Sequence, residues 1–183
     1  MSANYNKIYA SVASPYGNGQ PDPLILVLKE LCPQGMVLDL GAGDGRNSLV
    51  LARDGWRVMA VDTADVGLEK FKEAAVKADL QDKITYVCED IASYEPTQEV
   101  NAALFFFVLH HLTRDQAVVL LRRMQEKTAK GGMHAMAVFT PEGDFYQSEQ
   151  NKNLFYPTAV ELQEIYKGWD MIQLTERETT TRK

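Results

Sequence analysis

The stretch Met36-Val37-Leu38-Asp39-Leu40-Gly41-Ala42-Gly43-Asp44-Gly45-Arg46-Asn47 decides how this 183-residue chain is read. Its first five residues predict a buried strand, and glycines at 41, 43 and 45 close that strand abruptly. Lacking a Cβ, glycine lets the backbone turn sharply and lets a ligand press against it. Leu49-Val50-Leu51-Ala52 follows and predicts a helix running on to Gly55. A dinucleotide fingerprint would place its third glycine where Arg46 stands. A P-loop would continue with Lys and then Ser or Thr, where Arg46 and Asn47 stand. Both phosphate readings are weakened. What the loop carries instead is acid, Asp39 ahead of the glycines and Asp44 among them. Carboxylates repel a pyrophosphate and suit a ligand with an ammonium group and a positive centre.

Outward from this turn, strands and helices alternate. Residues 1–23, with Pro15, Gly17, Gly19, Pro21 and Pro23, predict an irregular N-terminal segment that could cover a site. Leu24 to Leu31 predicts a short helix. Beyond the glycine turn, Arg57 to Val61 predicts a second strand. Leu68, Phe71, Ala75 and Ala78 then fall on one helical stripe, opened by Gly67. Ile84 to Cys88 predicts a third strand and Ala102 to Val108 a fourth, whose Leu104-Phe105-Phe106-Phe107 run is apolar on both faces. Central parallel strands covered by helices on both sides have that character. Thr113-Arg114-Asp115-Gln116 has the form of a capping box, and its helix runs to about Ala129, stopped by Gly131-Gly132. A fifth strand from Met133 to Thr140, a long linker over 141–156, a helix from Thr158 to Lys167 and a sixth strand from Met171 to Glu176 complete the series.

This order predicts a single domain over 1–183, a three-layer α/β sandwich around a mostly parallel sheet, with its core over 24–183. Ligands in such folds bind at the carboxyl ends of the strands, where strand order reverses. That confines the chemistry to loops 41–47, 62–65, 88–92, 107–113 and 140–157.

Composition narrows the partners. Nineteen Lys and Arg against 25 Asp and Glu give a formal charge of −6. Nonspecific nucleic-acid binding draws on basic residues that neutralise phosphates, so a nucleic-acid partner is not expected. Cys32 and Cys88 lie 56 positions apart, and no CxxC or HExxH pattern occurs, so no disulfide framework or metal site is predicted. The first residues, MSANYNKIYAS, lack the basic and apolar regions of a signal peptide. No window approaches the roughly 18 apolar residues of a membrane span. A cytoplasmic protein without a membrane partner is expected, monomeric by default.

Two further acids sit at strand ends. Asp62 lies 23 residues beyond Asp39, close to the roughly 20 at which an acid accepts from ribose hydroxyls in nucleotide-binding α/β domains. Asp90, in Cys88-Glu89-Asp90-Ile91, could accept from an adenine amine while Ile91 packs on the ring.

Together, Val37 to Gly45, Ala60-Val61-Asp62, Cys88 to Ile91 and Phe107-Val108-Leu109-His110-His111-Leu112 resemble the class I S-adenosylmethionine-dependent methyltransferases over roughly residues 30–175. The continuation Gly45-Arg46-Asn47-Ser48-Leu49 and the stretch Glu161-Leu162…Tyr166-Lys167-Gly168-Trp169-Asp170 are similar to the tellurite-resistance methyltransferase family. The resemblance implies a Rossmann-like fold and S-adenosyl-L-methionine as cofactor. It implies that Gly41, Ala42, Gly43 and Gly45 lie against the methionine part, with Asp39 drawn to its amino group and Arg46, supported by Asn47, to its carboxylate. Asp62 would hold the ribose hydroxyls, Thr63 would sit beside the adenine, and Asp90 with Ile91 would bind the base. Phe107 would face the sulfonium and the transferring methyl.

Methyl transfer is a displacement at carbon in which positioning supplies most of the rate, and a base is needed only for an acceptor protonated at pH 7. His111 is the candidate base, with His110 beside it, while His134 on the fifth strand reads as structural. Amino-methylating nucleic-acid enzymes resemble one another in a [DN]-P-P-[YFW] clamp, where this chain has Phe105-Phe106-Phe107-Val108. Cytosine C5 and arsenic methylation use cysteines for which Cys32 and Cys88 are misplaced. A small-molecule acceptor is therefore expected: a tellurite-like oxyanion, a thiol or another small metabolite. Tyr5, Tyr9 and Tyr16, with Phe145, Tyr146, Phe155 and Tyr156 from the linker, are the candidate acceptor contacts. The resemblance departs at the C-terminus, where the family's seventh strand and a His-Arg pair have no counterpart. Two other readings are an NAD-dependent oxidoreductase, opposed by Arg46 and the flanking acids, and a cofactor-binding module without catalysis.

Overall fold

The computed structural model describes residues 5–12, 19–144, 146, 147 and 153–178. Tyr16 and Phe145 lie outside them. The predicted strand Met36–Leu40 (β1) is central, with Arg57–Asp62 (β2) and Ile84–Cys88 (β3) stacked on one side. Val100–Phe106 (β4) and Thr128–Ala137 (β5) lie on the other. The order is β3-β2-β1-β4-β5, and every ladder is parallel. In register, Val37 of β1 faces Val58 of β2 on one side and Ala102 of β4 on the other.

Helices cover both faces, as the apolar strands required. Leu24–Leu31 (numbered α2, since Tyr5–Ser11 forms α1), Ser48–Arg53 (α3) and Asp65–Lys77 (α4) pack on one face. Arg114–Lys127 (α5) and Ala159–Ile165 (α6) pack on the other. The alternation within β4 is the cause: Ala102, Leu104 and Phe106 enter the first core, Ala103 and Phe105 the second. α5 starts at the predicted capping box, in which the Thr113 hydroxyl accepts from Gln116 N while the Gln116 side chain accepts from Thr113 N. Among the described residues, no helix is long and apolar enough to cross a membrane.

Four expectations are corrected. The N-terminal segment is not wholly irregular, because Tyr5–Ser11 is helical and packs on α4, with Asn6 Oδ1 accepting from Val66 N at 3.2 Å. β4 stops at Phe106 because Phe107 turns to a φ of +52°, a left-handed conformation that no strand continues through. β5 starts at Thr128, before Gly131-Gly132, by means of a register shift between Val100 and Ala102 that absorbs the glycines as an irregularity. The sixth strand does not form: 171–178 pair with no ladder, and Met171, Ile172 and Leu174 are exposed. A strand without a neighbour has nothing to satisfy its backbone groups, so the apolar pattern alone does not produce one.

Candidate active site

β1 is followed by β2 on one side, while β4 enters on the other, so strand order reverses between the carboxyl ends of β1 and β4. That is where α/β folds open a ligand crevice. The two loops touch there: a Cβ on Gly41 would lie 2.5 Å from Val108 Cγ2.

The glycine turn is built from the end of β2. Gly41 N and Ala42 N both donate to Val61 O, at 2.8 and 3.2 Å. Gly43 N donates to Asp62 Oδ2 at 2.8 Å, and the other carboxylate oxygen of Asp62 accepts from Ala64 N at 2.7 Å. One side chain thus fixes the ligand-facing turns after both β1 and β2. A carboxylate offers about four acceptor positions. The Thr63 amide acts on the same carboxylate, and the acceptor capacity that remains is what a ribose hydroxyl requires. Burial pushes its carboxyl upward, while the backbone amides that it accepts from pull it back.

Asp39 sits beneath the turn with 3% exposure, and the Ser48 hydroxyl donates to its Oδ2 at 2.7 Å. Ser48 went unnoticed in the sequence, since nothing marks a serine nine positions away as the partner of a buried acid. Burial raises Asp39 to about 6, with Asp62 and Asp44 adding to the rise and Ser48 and Arg46 opposing it. The folded chain therefore holds this proton more tightly than the unfolded chain does. Stability from this group is present at pH 4 and lost as pH rises through 6, by up to about 3 kcal/mol. Asp39→Asn is expected to gain on the wild type over that interval in urea unfolding. Parallel stability profiles for the two proteins would refute the assignment.

Arg46 and Asn47 hold the N-terminal segment: an Arg46 guanidinium nitrogen donates to Gln20 O at 2.8 Å, and buried Asn47 accepts from Asp22 N at 2.8 Å. Arg46 keeps further donors for a ligand carboxylate. The Asn47 oxygen is committed to Asp22. Thr63 is exposed beside Asp62. Asp90 is exposed, accepting from Ala92 N at 2.9 Å, while Ile91 is buried beneath it.

The opposite wall is aromatic. Phe107 stacks with Phe139 at 5.1 Å between centroids, Phe139 meets His110 at 4.9 Å, and His110 meets His111 at 4.0 Å. Tyr156 lies 6.0 Å from His110, and Tyr146 lies 5.3 Å from Tyr156. Phe139 was missed because Met133 to Thr140 reads as plain core strand. α1 crosses the crevice from the glycine turn to this wall. The Tyr9 hydroxyl stands where a Cβ on Gly43 would be, 2.0 Å from it, and the Tyr5 hydroxyl is 2.8 Å from His111 Nε2. Burial pushes His110 down to about 3, with the neighbouring His111 adding to the effect, and lowers His111 as well. His134 lies apart, between the Thr128 and Tyr166 hydroxyls at 2.8 and 2.7 Å, as a structural residue would.

Sheet order, glycine turn and strand-end acids define the S-adenosylmethionine-dependent methyltransferase fold. The family model of the tellurite resistance protein TehB matches residues 24–182, and the chain belongs to that family. A probable S-adenosyl-L-methionine-dependent methyltransferase TehB from Haemophilus influenzae is 28% identical over 76% of this chain and 48% of its own length. The crystal structure of TehB from Haemophilus influenzae superposes with a TM-score of 0.75 at 24% identity, over 89% of this chain and 56% of that one. Phosphoethanolamine N-methyltransferase 1 of Triticum aestivum is 34% identical over 67% of this chain and 24% of its own length. A tRNA 5-carboxymethoxyuridine methyltransferase of Escherichia coli is 27% identical over 64% of this chain and 45% of its own length. The chain thus spans half or less of the curated relatives that it matches.

Proposed function

We propose that the chain, as one domain over 1–183, transfers a methyl group from S-adenosyl-L-methionine to a small-molecule nucleophile. The observation that carries this reading is Asp62, whose carboxylate ties Gly43 N to Ala64 N at the switch point and keeps acceptor capacity for a ligand. When bound, S-adenosyl-L-methionine supplies a methyl carbon on a sulfonium, which an acceptor attacks as the carbon–sulfur bond breaks and sulfur keeps the electron pair.

The residues divide that work. Gly41, Ala42, Gly43 and Gly45 form the turn against which the methionine part rests. Arg46 takes its carboxylate with the donors that Gln20 leaves, and Asp39 contributes negative potential from below. Asp62 holds the ribose; Thr63, Asp90 and Ile91 border the adenine. Phe107, 36% exposed at the end of β4, faces the sulfonium. A π-face attracts a positive centre. Its left-handed backbone costs of order 1–3 kcal/mol, a strain typical of functional sites. His111 is the base where the acceptor carries a proton, because His110 is too deeply buried to accept one readily. A nucleic-acid acceptor, the chemistry named for the tRNA relative, is disfavoured by the charge of −6. A cytoplasmic, monomeric protein fits the same reading.

Calorimetry tests the cofactor directly. S-adenosylhomocysteine is expected to bind in the micromolar range and NADH not at all. Saturable NADH binding with no heat from S-adenosylhomocysteine would favour the oxidoreductase and overturn the proposal.

A further inference from the structure

Ser48 opens α3, yet its hydroxyl does not serve the helix end, which has no side-chain cap. Hydroxyls at helix starts ordinarily accept from the first free amides. This one is fully buried and donates instead across the glycine turn, to Asp39 Oδ2 at 2.7 Å. Asp39 and Val37 are two apart on β1, so both side chains leave the face that α3 covers. Among the described residues, the second oxygen of Asp39 takes no hydrogen bond, and no lysine or arginine lies within ion-pair distance. The charged groups that face it are Asp44 and Arg46 from the turn and Asp62 from the end of β2. Its neighbours in register, Ala60 of β2 and Leu104 of β4, carry no charge. A carboxylate buried among carboxylates is costly to ionise. A positive charge on a ligand would offset that cost.

Resting on the methyl-transfer reading, we propose that Ser48 is a positioning residue for the cofactor: its hydroxyl holds Asp39 by Oδ2 and so presents the second oxygen, charged, to the ammonium of the methionine part. The ammonium brings the hydrogen bond and the charge that the chain does not supply. Cofactor binding and ionisation of Asp39 are then one linked equilibrium. In the free protein, burial raises Asp39 to about 6, and Ser48 is the larger of the two influences that oppose the rise. A bound ammonium favours the charged form. Binding therefore drives a proton off Asp39, and affinity rises with pH through 6 and levels off above it. Without the hydroxyl, that rise moves to higher pH. The ammonium and carboxylate of the methionine part keep their charges between about pH 5 and 7, so they do not contribute to it. Asp62 is also raised by burial and is the other acid whose titration bears on the interval.

S-adenosylhomocysteine is titrated by calorimetry into the full chain between pH 5 and 8. Absence of binding throughout would overturn the methyltransferase reading and the proposal with it. Wild type should lose about tenfold in affinity from pH 7 to pH 5 and release about half a proton per ligand at pH 6. The proton is read from the heats in buffers of different ionisation enthalpy. Affinity that is flat with pH, or binding without proton release, would overturn the proposal and leave the cofactor reading intact. Ser48→Ala should bind about tenfold more weakly at pH 6, the scale of one hydrogen bond to a charged group. That deficit should shrink several-fold by pH 8. No deficit, or one equal at both pH values, would reduce Ser48 to a packing residue and overturn the proposal. Asp39→Asn should bind more weakly at pH 7 and with a flattened pH dependence, and adding Ser48→Ala to it should lose no more than about twofold further. A pH dependence as steep as that of the wild type in Asp39→Asn would assign the proton to Asp62. A further tenfold loss in the double variant would place the action of the hydroxyl elsewhere. Either result would overturn the proposal.

Discussion

Asp62→Ala is expected to weaken S-adenosylhomocysteine binding by at least about 100-fold. Two hydroxyls donating to a charged acceptor contribute about 1.5–3 kcal/mol each, and each 1.4 kcal/mol is a factor of ten in affinity. The variant also frees Gly43 N and Ala64 N, so the glycine turn loses the brace that holds it to β2. Asp62→Asn separates the two effects. It keeps one acceptor oxygen and the side-chain volume, so it should bind with intermediate affinity. Both variants should retain the far-ultraviolet dichroism of the wild type, because the strands are held by backbone ladders in which the Asp62 side chain has no part. Affinity within threefold of wild type in Asp62→Ala would remove this residue from the site and leave the ribose without a holder.

Gly45→Ala should lower stability by about 2–5 kcal/mol. Gly45 has a φ of +77°, where a side chain costs about 1–2 kcal/mol. Its added Cβ would stand 2.3 Å from the ring of Phe71, which is fully buried, and overpacking of that kind costs a further 1–3 kcal/mol or so. For a chain of this size the melting temperature should fall by about 5–15 °C. Gly131→Ala is the matched control, since its φ is +78° and nothing lies within 4 Å of the new Cβ. The difference between the two variants therefore measures the overlap with Phe71. Equal losses would show that the core of α4 yields freely; in that case Phe71→Leu, combined with Gly45→Ala, should restore nothing.

Gly45 also shows why the turn was legible while its occupants were not. Three glycines and two acids within seven positions are a local signal, and the local signal was sufficient for β1, the turn, α3 and the capped start of α5. What misled was settled at long range. α1 has no composition to announce it; it is held where Tyr9 packs on the glycine turn and Asn6 reaches Val66 N. Asp39 takes the Ser48 hydroxyl on one of its oxygens, a partner that no spacing in the sequence announces. Asn47 likewise serves the N-terminal segment through Asp22 N. Phe107 ends its strand by a backbone turn that no apolar pattern encodes, and Met171 to Glu176 has a strand's pattern without a neighbour to pair with.

The central place of β1 has a bearing on how the chain is made. Val37 pairs with Val58, 21 residues later, but its other partner, Ala102, is 65 residues later. During synthesis, β2 and β3 can join β1 while its far edge is still bare. That edge stays open until β4 has left the ribosome, and the longer closure is the entropically dearer one. For this interval the chain offers the mostly apolar, hydrogen-bonding edge of β1, five residues long, to any neighbouring nascent chain. Yield in the cell should then depend on the speed at which residues 89–106 are translated and on chaperone supply, more than on the stability of the finished fold.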